Sequence, residues 1–241
     1  MSGKFWRMVE AQHFVSTLKL VDTIEEQALL EELAETVKPH VPPECAHLDY
    51  LLSTPFRYGS PYPGGSRFRR AGYTDGVYYC SATVETAIAE MAFYRLLFYA
   101  ESPGLPFSDL AAEYTAFAAE IATQSAIDLT AEPFLSHRRS WCDPVSYEAC
   151  QALADAGRKA GIEAIQYESV RDPGSGINLA VLRCRAFARG EPVARETWRM
   201  RISRTGIAAV AEFPRRMLGY PIEVFGNDPR VAAFVQRQGT S

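Results

Sequence analysis

The 241-residue sequence has no C-x-x-C pair, no H-E-x-x-H, no G-x-S-x-G and no Walker or dinucleotide glycine fingerprint. Its five cysteines (Cys45, Cys80, Cys142, Cys150, Cys184) are odd in number and widely spaced, and its four histidines (His13, His40, His47, His137) fall at no zinc spacing. A disulfide framework and a metal site are therefore not expected, and the cysteines read as reduced cytosolic thiols, several of them in the core. No apolar stretch approaches the roughly 18 residues of a membrane span. The opening MSGKFWRMVEAQHFVS lacks the apolar run of a secretory signal, so a cytoplasmic protein is expected. There is no excess of positive charge either: 25 Lys and Arg stand against 29 Asp and Glu, for a net charge of −4. That balance argues weakly against a broad basic face for direct nucleic-acid binding, and a local basic patch stays open. Repeats and low-complexity runs are missing too, and the 47% hydrophobic content suffices for one sizeable core.

What is present alternates irregularly between helix and strand patterns. Residues 1–50 read as a helical extension: T-I-E-E at 23–26 fits a capping box, Leu29, Leu30, Leu33 and Val37 recur at helical spacing, and the prolines of KPHVPPEC stop the helix. Residues 51–72 are rich in Gly, Pro and Ser and read as a long irregular segment, GVYYCS at 76–81 as a short strand, and 83–100 as the clearest helix. YTAFAAEIAT, EAIQYES and INLAVLRCRAF read as strands, 144–160 as a helix ended by Gly161, and FPRRMLGYP as a loop. A short C-terminal helix is expected to start near Asp228 and Pro229. The series is not a regular βαβ repeat, so the expected class is α+β: a single domain, residues 51–241, with a central, largely antiparallel or mixed sheet flanked by helices.

Chemistry-bearing residues concentrate in the middle of the chain. Arg57, Arg67, Arg69 and Arg70 lie in the Gly/Pro-rich segment, where a planar guanidinium fork suits phosphate and Gly64 and Gly65 allow close backbone approach; a solvated basic loop is the plain alternative. Tyr58, Tyr78 and Tyr79 could stack on a base or pyridinium ring or simply be half-buried aromatics, and a strand would point Tyr78 and Tyr79 to opposite faces. On the 83–100 helix, Val84, Ala87, Met91, Tyr94 and Phe98 cluster on one face, while Glu90 falls roughly 90° from the centre of that stripe, at its edge. Ser169 closes a strand just before a Gly-rich turn, where it could donate to a phosphate or ribose oxygen or serve the turn alone.

In order, PFRYGS, GGSRFRRAG, VYYCSATVETAIAE and IQYESVRDPGSGINLAVL resemble the RES-domain family, over roughly residues 50–187. Arg67 stands at the arginine of the family's G-G-R-W-N block, Phe68 at its tryptophan and Gly72 at its final glycine. Tyr79 precedes Glu90 by eleven residues, as in the family, and Ser169 opens a segment like S-x-R-x-P-G-G-x-N-L with Arg171, Pro173, Gly174, Gly176 and Asn178 in place. Arg69 replaces the family's asparagine and Ser175 one of its glycines. The resemblance implies a fold like the mono-ADP-ribosyltransferases and an NAD-consuming bacterial toxin of a toxin–antitoxin pair. NAD would be substrate, with inorganic phosphate (or water) as candidate co-substrate and no tightly bound cofactor. Glu90, Arg67 and Ser169 would be catalytic, and Arg57, Tyr58, Tyr79, Arg171 and Asn178 would bind substrate. The implied partner is an antitoxin with a helix-turn-helix DNA-binding domain; no membrane is involved, and a homo-oligomer is left open. A protein ADP-ribosyltransferase using the same site, a nucleotide-binding module without turnover and a ribonuclease are the alternatives.

Overall fold

In a computed structural model, residues 1–11, 20–60, 62–72, 74–102, 104–108 and 110–239 are described; His13 lies outside them. The elements are β1 (Ser2–Glu10), α1 (Ile24–Thr36), α2 (Tyr50–Arg57), β2 (Tyr78–Ser81), α3 (Val84–Glu101), β3 (Ala112–Ala122), β4 (Ala126–Asp128), α4 (Arg138–Trp141), α5 (Glu148–Lys159), β5 (Ala164–Glu168), β6 (Ile177–Val181), β7 (Ala194–Ser203), β8 (Gly206–Ala211), β9 (Arg216–Pro221) and α6 (Pro229–Gly239). Nine strands form one sheet in the order β4-β5-β6-β2-β1-β3-β7-β8-β9. Every neighbouring pair is antiparallel except β4 with β5. The class is α+β with a mixed sheet, as the irregular alternation of elements predicts.

The N-terminal segment departs most from the sequence reading. Residues 2–10 are not helical: β1 lies inside the sheet, paired along its whole length with β3 from Ser2 opposite Ala122 to Glu10 opposite Tyr114. Phe5, Trp6 and Met8 are buried, and a strand covered on both faces carries apolar residues at successive positions, which hides its period of two. The capping box does form: Thr23 Oγ1 accepts the Glu26 N–H at 3.1 Å, and Glu26 Oε2 accepts the Thr23 N–H at 3.1 Å. The helix it starts leaves Leu29, Leu33 and Val37 exposed.

Other differences have local causes. Within 51–72, α2 is helical because Asp49 caps it, accepting the Leu51 N–H at 2.8 Å, and Leu52 and Phe56 bury one face; it stops within a turn of Pro55. FPRRMLGYP is partly strand β9, paired with β8, and β6 ends at Val181, before a 3₁₀ turn at Cys184–Ala186. Cys45 and Cys184 form a disulfide, with Cα atoms 5.3 Å apart. That corrects the reading of all the cysteines as reduced thiols, since a separation of 139 residues conceals their adjacency. Cys80, Cys142 and Cys150 are free.

Three apolar clusters hold the layers together. One lies under α3 and α6 against β1, β3, β7 and β8; a second packs α2 and the Cys45–Cys184 bridge on the opposite face; a third joins α5 to β5 and β6. The buried face of α3 is centred on Ile88, Ala89, Ala92, Phe93 and Leu96, whereas Tyr94 and Phe98 are about half exposed. A helix apolar nearly all round does not reveal by period alone which stripe the core takes. No helix among the described residues is long and apolar enough to cross a membrane.

Candidate active site

Between β1 and β2 the ladder is broken. The two strands share a single register pair, Trp6 with Ser81, and part beyond it. The Tyr79 carbonyl, which a continued ladder would have used, accepts a hydrogen bond from Arg7 Nη1 at 2.9 Å, and the same guanidinium lies 5.2 Å from the Tyr78 ring centroid. A cavity of about 440 Å³ opens there, walled by β1, β2, α3, β6 and the loops around residues 60–67 and 147.

Glu90 enters this cavity from α3. One of its oxygens, Oε1, accepts from Ser169 Oγ at 2.7 Å and from Asn178 Nδ2 at 2.6 Å; the other, Oε2, has no hydrogen-bond partner among the described residues. Both donors are themselves fixed. Ser169 Oγ accepts the N–H groups of Arg171 at 3.2 Å and Asp172 at 3.0 Å, and Asn178 Oδ1 accepts from Ser81 Oγ at 2.6 Å. Ser169 and Asn178 are each 2% exposed. The carboxylate is thus held rigidly on one side and left free on the other. Ser169 Oγ thus addresses Glu90 with its proton and serves the following turn with its lone pairs, the second of the two roles the sequence left open for it.

The loop carrying the Gly/Pro-rich block is fastened over the cavity. Tyr79 Oη accepts the Phe68 N–H at 2.9 Å and shares a hydrogen bond with Ser66 Oγ at 2.8 Å. Burial pushes the Tyr79 phenol above its ordinary range, so it remains a neutral hydrogen-bonding group. Gln151 of α5 donates to the carbonyls of Gly64, Ser66 and Arg69. Gly65 has φ +67, and a Cβ there would meet the Arg69 carbonyl at 2.2 Å, so the turn requires glycine.

Arg67 lines the cavity but is 7% exposed, donating to the carbonyls of Trp141 at 2.6 Å and Asp143 at 3.0 Å, with the Tyr147 ring 5.0 Å away. Its fork fastens residues 141–143 more than it offers itself to an anion. Arg171 also lines the cavity, ion-paired to the buried Asp228.

Arg57 and Tyr58 are not there. They line a different pocket of about 380 Å³, next to the Cys45–Cys184 bridge, and Arg57 is bound to Glu35 and to the Pro39 carbonyl. The capped helix α2 carries them away from the cavity. In their place stand Arg7, Tyr147 and Arg230, which the sequence reading passed over, and Tyr94, which it assigned to the apolar stripe of the helix. Arg7 was masked by reading residues 1–50 as an extension; an arginine inside the β-prone run FWRMV was the available signal. Arg230 gave none, being one of many helix arginines. Among the described residues no cluster of His, Cys, Asp and Glu is placed to hold a metal ion.

No curated protein matches this sequence. Among solved structures, a chain in the crystal structure of the M. tuberculosis MbcT–MbcA toxin–antitoxin complex is similar, with 11% identity and a TM-score of 0.45 over 95% of this chain and 89% of that one. Residues 41–203 match the RES domain, a stretch that contains Arg67, Tyr79, Glu90, Ser169 and Asn178. With most of its length matched, and the Glu90–Ser169–Asn178 contacts falling inside the match, this chain belongs to the RES-domain family.

Proposed function

We propose that this protein is an NAD-consuming enzyme that cleaves the nicotinamide–ribose bond, acting in the cytoplasm as the toxin of a toxin–antitoxin pair. The observation that carries the reading is the Glu90 carboxylate, clamped through Oε1 by Ser169 and Asn178 inside a cavity also lined by Arg7, Arg67, Arg171 and Arg230.

Nicotinamide leaves as a neutral ring, so the departure needs no strong acid. What it needs is stabilisation of positive charge growing on the sugar, and a fixed carboxylate supplies it without reorganising. Glu90 takes that role through its free oxygen, and the same oxygen orients the acceptor. Arg7 holds a phosphate group by a charge-assisted hydrogen bond, and Tyr79 with Tyr94 packs on the ring systems and excludes water. Phosphate as acceptor gives nicotinamide and an ADP-ribose phosphate; water gives nicotinamide and ADP-ribose. The antitoxin, carrying a helix-turn-helix domain as in the family at large, would occlude the cavity mouth, where Tyr62 and Tyr94 are exposed.

The test is incubation of the purified full chain with NAD, with and without inorganic phosphate, following nicotinamide and the sugar product by chromatography. Nicotinamide release with an ADP-ribose phosphate formed only when phosphate is present is the expected result. No release under either condition refutes the reading.

A further inference from the structure

The family match ends at residue 203, yet the segment beyond it reaches into the cavity. Asp228, 4% exposed, precedes α6 and accepts from Arg171 Nη1 and from Arg230 Nε at 3.1 Å and Nη2 at 3.0 Å. Both arginines also donate to the Pro144 carbonyl, and both lie over the Phe93 ring, 4.0 Å away for Arg171 and 5.3 Å for Arg230. Two cations thus share one carboxylate. Of the pair, Arg171 is sealed in, with 3% of its side chain exposed, while Arg230 keeps 27% open.

The wider charge balance points the same way. Four arginines line the cavity (Arg7, Arg67, Arg171 and Arg230), and Glu90 is the one carboxylate among the residues lining it, with Asp228 behind the wall. With Asp143 counted as well, since its carboxylate feels Arg67 and Arg171, one positive charge is left over in a partly desolvated site. Such an excess is costly unless an anion completes it, and a phosphate group carries the matching charge and the oxygens for a guanidinium fork.

We propose that Arg230, steadied by Asp228 beside Arg171, is a phosphate-binding subsite contributed by the C-terminal segment outside the RES match. The proposal rests on the reading of this cavity as the NAD site. Arg230 is the binding residue and Asp228 a positioning residue. The phosphate comes either from the dinucleotide's pyrophosphate or from free inorganic phosphate, and kinetics separates the two.

The experiment measures nicotinamide release by the full chain and by Arg230→Gln and Arg230→Lys, against NAD at saturating phosphate and against phosphate at saturating NAD. In Arg230→Gln one half-saturating concentration rises about tenfold or more, the loss expected for one charge-assisted hydrogen bond. A rise for NAD assigns the pyrophosphate; a rise for phosphate assigns the free anion. Arg230→Lys keeps the charge but loses the two-point grip on Asp228 that aims the remaining Nη1 at the cavity, and rises about threefold. Both constants within twofold of wild type, in either variant with an unchanged melting temperature, overturn the proposal. Should the wild type release no nicotinamide, the function reading falls on its own, and calorimetric titration with inorganic phosphate and pyrophosphate decides the subsite. Binding at least tenfold weaker in Arg230→Gln supports it, and equal binding overturns it.

Discussion

Two pockets in this protein are walled by arginine and tyrosine, and they differ in what those residues have left to give. Beside the Cys45–Cys184 bridge, Arg57 is bound to Glu35 and the Pro39 carbonyl, and Arg158 donates to the carbonyls of Leu182 and Gly76 with Asp75 3.6 Å away. Glu44 and Asp75 line that pocket as well, so its cations are largely answered from within. Under α3 the imbalance is wider: four arginines line the cavity with one carboxylate, and Glu90 keeps one oxygen free of partners among the described residues. An arginine near glycines and tyrosines is therefore no sign of a site by itself. What marks a site is charge left over, together with a reactive group fixed on one side only.

Substitutions on the two sides should separate the pockets sharply. Glu90→Gln keeps the shape and removes the charge, and should lower the rate of nicotinamide release about 100- to 1000-fold; a fall of less than tenfold would erase the distinction drawn here. Ser169→Ala removes one of the two donors to Glu90 Oε1 and should lower the rate at saturating NAD about 10- to 100-fold. An effect confined to the half-saturating concentration would contradict its role in orienting Glu90. Arg7→Met should raise the half-saturating NAD concentration about tenfold, since Arg7 has no carboxylate partner among the described residues.

The acid limb of stability gives a further comparison. Burial opposes the charged form of Asp228, but hydrogen bonds from Arg230 and the charge of Arg171 outweigh it and hold its carboxyl below the usual aspartate value. Its folded value thus lies below its unfolded one. The stabilisation is present above about pH 4 and is lost as the pH falls through the lower, folded value. Asp228→Asn should therefore flatten the fall in melting temperature below about pH 4, as measured by thermal unfolding between about pH 2 and 6. A slope identical to wild type would count against the buried cluster. The smallest effect belongs to the other pocket: Arg57→Gln should leave the rate and the half-saturating NAD concentration within about twofold of wild type, as is usual away from a site. A tenfold change would return Arg57 to the NAD site.

Local patterns carried much of the architecture. The capping box at Thr23, the α3 helix, the strand run at 78–81 and the Gly161 stop depend on neighbouring residues and were legible for that reason. β1 was not, because burial on both faces removes alternation. The second half of the cavity was hidden too. Arg7 and Arg230 are 223 positions apart in the chain, and neither residue's neighbours hint at an anion site.

By itself the sequence determined the helices and strands whose signals are local, the α+β class, and the blocks around Arg67, Glu90 and Ser169 that mark the RES domain. Only the tertiary structure decided which arginines face Glu90. Hydrogen bonds at 2.6–2.7 Å from Ser169 and Asn178 join a helix to a turn and a strand some 80 residues away, and a guanidinium's freedom depends on which carbonyls and carboxylates the fold brings within reach. That is why Arg57, which the motif favoured, is tied to Glu35 at another pocket, while Arg7, with no carboxylate partner among the described residues, and Arg230, held by Asp228, line the cavity though no motif singled them out.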